Sequence, residues 1–323
     1  MITLTPTEDQ RELVGSVESF LAKELPLNRV RELADTPDGV SDDLWGTYAE
    51  LGWFGLAIPE ESGGIGLGIP EESLLMIEAG RRLVPGPLRS TIVAARIAAA
   101  AGEVELLDRL LSGELRAGFA VGDLSIDVRA GDALVTLDHD RGTIRIVDAV
   151  DPARPVDPTT RVARATAGKL AAEAAGPFRS IALVLASAEL LGVIEAVRDM
   201  SAAYAAVRTQ FDRPIGSFQA VKHRCAEMAV GAYAVRAQVL FAALRLEMAG
   251  ADAEFQARAA FELATGRAQT AVKDNIQNHG GVGFTWEHPA HLYLKRAYLL
   301  SRLFGTSRET RSAMLAAEPS RFD

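Results

Sequence analysis

Two segments of the chain place an arginine or a run of glycines beside aromatic residues at points where helices end. Residues 204–221 read YAAVRTQFDRPIGSFQAV, and the pattern predicts a helix closing in an arginine–aromatic turn, with a new helix opening after Ser217. Residues 277–289 read QNHGGVGFTWEHP, a helix end followed by a Gly-Gly-x-Gly turn and aromatics. A guanidinium fork gives charge-assisted hydrogen bonds to a diphosphate, and glycines let a backbone approach a ligand closely. A nucleotide could sit between the two turns. Taken singly, each has a plainer reading. Gly-Gly after a helix is commonly a C-cap, and Arg-x-Gln-Phe is commonly a surface arginine beside a core aromatic. Neither is a Rossmann or phosphate-loop fingerprint, because no strand precedes it.

The elements that position these turns follow from periodicity and breakers. Thr5-Pro6-Thr7-Glu8 reads as a capping box with proline at the first helical position, followed by Leu13, Val14, Val17, Phe20 and Leu21 at helical spacing. Residues 42–51 read as a second helix ending at Gly52, and the glycines of residues 63–68 mark a loop. Helix is expected over residues 71–83, 90–101 and 103–111, with a break at Pro85-Gly86-Pro87. Residues 134–137 and 143–147 are strand-like and separated by turn residues. They predict a β module of few strands that must lean on the helices for stability. From residue 165 to 317 the chain reads as a bundle of about four long helices, rich in alanine and leucine. The expected division is a helical domain over 1–114, a shortened β module over 115–164 and a C-terminal bundle over 165–323. The fold class is mainly α.

Composition narrows the partners. The 323-residue chain is 48% hydrophobic, enough for a large core. Its net charge of −9, without a basic stripe, argues against nucleic acid and anionic membrane surfaces. A single cysteine, Cys225, rules out an internal disulfide and fits a reducing cytoplasm. No signal-peptide pattern opens the sequence. Residues 181–193 are apolar but too short for a span, and read as a buried bundle helix. His279, His288 and His291 cluster around the glycine turn without metal-ligand spacing, so they are expected to order the loop. Cys225 and His223 read as packing and polar-face residues, and Trp53 and Trp286 as core or interface anchors.

Together the two turns resemble the C-terminal domain of the acyl-CoA dehydrogenase family. Residues 51–60, LGWFGLAIPE, and the Gly63-Gly64-x-Gly66 loop are similar to its N-terminal half, and the order of helical domain, β domain and helical bundle is the family's. The resemblance covers nearly the whole chain except its middle. It implies α,β-dehydrogenation of an acyl-CoA thioester with FAD, in which a carboxylate removes the α-proton and the β-hydrogen leaves as hydride. It also implies that Arg208, Gln210, Phe211, Gln277, Gly280 and Gly281 reach across a subunit interface to a neighbour's FAD. Arg208 would then meet the diphosphate, and the Gly280-Gly281 backbone the adenosine half.

Departures from the family's pattern are as informative. The β domain is cut short, its flavin-ring ligands are absent near residues 118–123, and no tryptophan lies between Trp53 and Trp286. The family's two positions for the catalytic base fall on Phe304 and Ala182, neither of which takes a proton. Glu189 lies two helical turns after Ala182 and is the first candidate for a relocated base, with Glu195 and Glu287 behind it. The chain thus resembles the shorter, degenerate subunit of actinobacterial heterotetrameric acyl-CoA dehydrogenases. That resemblance implies an α2β2 assembly with a longer family member and a role in steroid or lipid catabolism. Two other readings stay open: a self-sufficient homo-oligomeric dehydrogenase with a relocated base, and a flavin-free acyl-CoA-binding or scaffolding protein.

Overall fold

The computed structural model describes residues 4–316; residue 317, where the bundle was expected to end, and the extreme N-terminus lie outside them. The first helix, α1 (Glu8–Glu24), is capped two residues later than the sequence suggested. Thr7 is the N-cap and pairs reciprocally with Gln10, while Pro6 lies outside the helix. Thr7-x-x-Gln10 satisfies the same capping rule as Thr5-x-x-Glu8, so spacing alone did not separate them. The short α2 (Leu27–Ala34) was not foreseen, and α3 (Asp42–Glu50) is as expected. Phe20, Trp45, Tyr48, Trp53 and Phe54 form one aromatic nest, with Tyr48 stacked on Trp53 at 4.7 Å.

Beyond the glycine loop come α4 (Ile69–Arg82), α5 (Leu88–Ala101) and α6 (Val104–Leu111). Glu247, from the far end of the chain, accepts the Ile69 N–H at 2.8 Å and so anchors the start of α4. The β module is a closed five-stranded barrel of β1 (Ala117–Val121), β2 (Leu124–Ile126), β3 (Ala133–Leu137), β4 (Arg141–Ala153) and β5 (Val162–Ala175), in the order β1-β2-β5-β4-β3. Register shifts between Ile144 and Ala149 bend β4 around the barrel.

The expected boundary at residue 164 therefore falls inside β5, and the helix expected from residue 165 begins only at Phe178. Residues 165–175 are alanine-rich, which suggests helix by propensity. Here Ala172 and Ala174 are small because β5 lies close against α5, and Gly176-Pro177 ends the strand.

Among the described residues the bundle is built on three long helices, α7 (Phe178–Val207), α8 (Gln219–Glu247) and α9 (Ala253–His279), with a shorter fourth packed on α7 and α9. The shorter α10 (Ala290–Leu300) and α11 (Ser307–Ala316) complete it. α7 is long and apolar enough to cross a membrane by composition, but 94% of its apolar window is buried inside the fold. It crosses α4 at a glycine pair. A Cβ on Gly192 would overlap the Ile77 carbonyl, and one on Gly80 would overlap the Glu189 carbonyl. This close approach brings the N-terminal helices and the bundle into one continuous core.

Candidate functional site

The sequence-predicted residues divide between two places. The arginine and glycine turns meet at one end of the bundle. Tyr204, in the last turn of α7, stacks on His279, the last residue of α9, with ring centroids 4.3 Å apart. Ser201 donates to Asn275 Oδ1 at 2.8 Å between the same helices, and Arg224 of α8 donates to Asn278 Oδ1 at 2.8 Å. These contacts hold the two turns side by side.

After α7 a tight hairpin forms from β6 (Thr209–Gln210) and β7 (Arg213–Pro214). Its two central residues, Phe211 and Asp212, have φ of 52° and 60°. Both lie in the left-handed region that a two-residue hairpin demands and that glycine or asparagine normally fills. Phe211 stands 85% exposed, held edge-on by Phe218 at 5.9 Å, and the Arg213 guanidinium lies 4.2 Å from the Phe218 ring centroid. Arg208, Gln210, Gln277, Gly280 and Gly281 are exposed too. Among the described residues, no side-chain partner holds Arg208 or Gln277. Gly280 has φ +61°, and a Cβ built on Gly280 or Gly281 meets no atom within 4 Å. Among the described residues nothing requires Gly281 to lack a side chain.

The histidines order this loop, as expected. His279 Nδ1 pairs with the Asn275 carbonyl at 2.8 Å, His288 lies 4.3 Å from the His279 ring, and His291 Nε2 pairs with the Trp286 carbonyl at 3.1 Å. Burial first, then neighbouring cationic groups, hold His288 below the ordinary histidine value. No grouping of three metal-binding side chains occurs among the described residues. Cys225 is half-buried beside Asn278, in line with a packing role. Trp53 is in the core, whereas Trp286 is 65% exposed.

The second place is the interior, where the barrel meets the bundle. Phe304 is buried among aromatics, edge-on to Phe119 of β1 at 5.8 Å and to Phe261 of α9 at 5.6 Å. Arg179 donates to the Phe304 carbonyl at 3.1 Å. Ala182 is fully buried in α7. Glu189 is buried and engaged at both oxygens: Oε1 accepts from Arg296 at 2.9 Å, and Oε2 pairs with Arg89. Arg296 also binds Asp157 at 2.7 Å and Thr159 Oγ1 at 2.7 Å. Burial pulls the Arg296 guanidinium down, but Asp157 and Glu189 together outweigh it and hold it above its usual value. Glu195 is likewise taken, by Arg81 at 2.8 Å and Arg236 at 2.7 Å, and Glu287 is exposed.

A carboxylate with each oxygen held by a guanidinium is not free to reach the α-proton of a substrate. The cavity left beside it, lined by Arg89, Phe119, Asp127, Glu189 and Arg296, is about 30 Å³. That admits a water for the unpartnered Arg89 Nε, not a thioester. Sequence reasoning missed this network, because Arg89, Asp157, Glu189 and Arg296 come from four separate segments with no signature spacing.

Comparison with known proteins identifies the family. Residues 7–114 match the acyl-CoA dehydrogenase N-terminal domain, and residues 181–317 match the acyl-CoA dehydrogenase C-terminal domain. The chain is 34% identical over 316 residues to acyl-CoA dehydrogenase IpdE2 of Mycobacterium tuberculosis, covering 95% of this chain and 96% of that protein. It is 36% identical over 341 residues to acyl-CoA dehydrogenase FadE34 of the same organism, covering 94% of this chain but 47% of the relative. Among solved structures, the ChsE4-ChsE5 complex from M. tuberculosis is similar in fold, with TM-score 0.85 at 24% identity over 99% of this chain and 100% of that one. The chain belongs to the acyl-CoA dehydrogenase family.

Proposed function

We propose that this chain is the non-catalytic subunit of a hetero-oligomeric, FAD-dependent acyl-CoA dehydrogenase, completing the cofactor site of a longer partner across the interface. The observation that carries the reading is the contrast between the two places. Arg208, Gln277, Gly280 and Gly281 are exposed, and Arg208 and Gln277 have no side-chain partner among the described residues, while the two positions that the resemblance gives to the base hold Phe304, in an aromatic cluster, and the buried Ala182.

The residues present fit the diphosphate and adenosine half of FAD and do not fit its ring. Arg208 supplies an uncommitted guanidinium, and the open Gly280-Gly281 backbone permits close approach. At the ring end, Phe119 packs against Phe304 where a cradle would have to open. FAD, when bound, supplies the hydride acceptor. This chain's own part is then to orient and retain the nucleotide end, while the partner brings the base. Glu189 is not proposed as that base, because Arg89 and Arg296 hold both its oxygens. The relatives' names support acyl-CoA as substrate class. The solved neighbour described as a Tcur3481-Tcur3483 steroid acyl-CoA dehydrogenase variant supports extending the proposal to steroid acyl thioesters, and the α2β2 assembly is what the sequence resemblance implies.

The test is FAD content by absorbance, for the chain alone and co-expressed with a longer family member. The expected result is no FAD alone, one FAD per pair of chains in the complex, and loss of FAD from the complex on Arg208→Ala with the complex itself intact. A yellow, active protein from this chain alone overturns the proposal, and unchanged FAD occupancy in Arg208→Ala overturns the role given to Arg208.

A further inference from the structure

Three histidines meet where α9 turns into α10, and the hydrogen bond of each ring fixes where its proton sits. His279 Nδ1 lies 2.8 Å from the Asn275 carbonyl oxygen. A carbonyl only accepts, so this nitrogen carries the hydrogen. His291 donates in the same way from Nε2 to the Trp286 carbonyl at 3.1 Å, which leaves its Nδ1 bare, buried and without a partner. His288 is the opposite case. Its Nδ1 accepts the Ala290 N–H at 3.2 Å, so that nitrogen is bare and the neutral ring holds its hydrogen on Nε2. The bond matters to α10, because Pro289 at the N-cap position makes no side-chain cap. His288 thus plays the part that asparagine plays in an Asx-turn, with an acceptor that a proton can remove.

The surroundings give an added proton no counter-charge. The His288 ring lies 4.3 Å from that of His279, and the titratable groups acting on it are His279, Arg31 and His291, with no carboxylate among them. Arg31 reaches the turn from α2, donating to the Trp286 and Glu287 carbonyls at 3.1 Å and 2.7 Å. From α10, Lys295 stands 4.9 Å from the Trp286 ring centroid, and that ring is stacked on His291 at 4.5 Å. α7 brings the Tyr204 ring, and Arg224 of α8 is paired with Asp274 of α9 at 3.5 Å. Of the other acids nearby, Asp157 is spent on Arg296, and Glu287 is exposed and makes no ion pair among the described residues. Burial foremost, with the cationic neighbours behind it, holds both His288 and His291 below the ordinary histidine value.

We propose that the turn of residues 280–288 is an acid-sensitive latch, shut while His288 is neutral and released when His288 takes up a proton. The added proton goes to Nδ1, the one bare nitrogen of that ring. There it sets one N–H against the Ala290 N–H and places a cation beside Arg31 and two other imidazoles. Little apolar packing opposes the opening, since Val282 and Phe284 are exposed. A freed imidazole takes its proton at about pH 6.5, and the closed turn takes it less readily. The advantage of the closed form is therefore complete above that pH and is lost as pH falls below it. Because the same turn carries Gly280 and Gly281, release withdraws the nucleotide contact, a consequence that rests on the function proposed above. The latch itself is a property of the chain alone.

The test is amide hydrogen exchange of the full-length chain at pH 7.5 and pH 5, corrected for intrinsic rates. The expected result is that protection of the Ala290 amide falls about tenfold, while amides where α4 crosses α7 keep theirs. His288→Asn should keep the Ala290 amide protected at both pH values, because asparagine Oδ1 accepts the same N–H and takes no proton. Titration of the His288 ring by NMR in the unsubstituted chain reads the same event, and its midpoint should coincide with the loss of protection. Unchanged protection of Ala290, an equal loss in His288→Asn, or a ring midpoint apart from that of the amide each overturns the latch. FAD content of the complex over the same pH range reads the consequence, and FAD kept at pH 5 with Ala290 unprotected overturns the regulatory role. A complex without FAD at any pH counts against the proposed function instead, and exchange in the chain alone still decides the latch.

Discussion

Replacing Arg296 with methionine isolates the buried network that joins barrel, N-terminal helices and bundle. The substitution keeps much of the side chain's apolar length but removes the cation that pairs with Asp157 and Glu189. Glu189 retains Arg89. Asp157, fully buried, keeps only Thr159, which donates at 3.0 Å from its N–H and 2.6 Å from its hydroxyl. Orphaning one partner of a buried pair costs about 3–5 kcal/mol. The cost has an independent ceiling, because the orphan can take up a proton. For a carboxyl with an ordinary value of about 3.9, protonation costs about 4 kcal/mol at pH 7 and about 1.5 kcal/mol at pH 5.

The sign is fixed by linkage. An orphaned acid whose folded value is raised is best tolerated at low pH, so the variant's deficit grows as pH rises. The expected outcome in urea denaturation is a loss of about 4 kcal/mol at pH 7 that shrinks by more than half at pH 5. At about 2.1 cal/mol/K per residue over 323 residues, this corresponds to a fall of about 6 °C in melting temperature at pH 7. Adding Asp157→Asn should recover most of the deficit, the non-additivity expected of residues in contact. A deficit equal at both pH values, or below about 1 kcal/mol at pH 7, would show that Arg296 acts as a surface charge and refute the reasoning.

Three further outcomes follow from the geometry. Burial pushes the Asp127 carboxyl up to about 6 from 3.8, so its contribution to stability is lost as pH rises toward neutrality. Asp127→Asn should therefore stabilise the chain at pH 8, by at most about 3 kcal/mol, with the gain vanishing below pH 4. The substitution is tolerated locally, since φ is 54° and Asn Oδ1 can still accept the Arg161 N–H. Gly192→Ala should destabilise by about 2 kcal/mol or more, read as a lower urea midpoint, because the new methyl overlaps the Ile77 carbonyl where α4 and α7 cross. Phe304→Glu should give no dehydrogenase activity to the chain alone and should lower its melting temperature. The carboxylate would enter a cluster of Phe119 and Phe261 with no room for substrate, and turnover of any acyl-CoA by that variant would contradict this account.

What the sequence made legible was local. Gly52, Pro85-Gly86-Pro87 and Gly102 bound helices by their own backbone preferences, and α3 to α6 appeared within a few residues of their expected positions. The two candidate turns were visible because glycine and arginine announce themselves whatever packs around them. β5 was hidden because alanine reports helix propensity only when packing is silent, and here the neighbouring α5 decided. Trp286 was assigned to core or interface by residue type, and its exposure depended on Arg31, 255 positions away, holding its carbonyl. Glu189 looked like a candidate base because its two arginine partners, which engage both its oxygens, lie 100 and 107 residues away.

The hairpin at Phe211-Asp212 carries the functional argument one step further. Two non-glycine residues in the left-handed region cost of order 1–3 kcal/mol each. Inside the chain the return is small: a hairpin of two-residue strands and an edge contact with Phe218, with the Phe211 ring itself in water. A strained turn that displays an apolar ring beside an unpaired arginine is favourable only if something outside the chain covers it. The interior shows the opposite economy: the space a substrate would need is filled by Phe119, Phe304 and a closed ion network that stabilises the chain by itself. On the proposed reading the inside of this protein is packed rather than catalytic, while strain and exposed groups are kept on its outside. That combination is what a subunit requires when the reacting atoms belong to its partner.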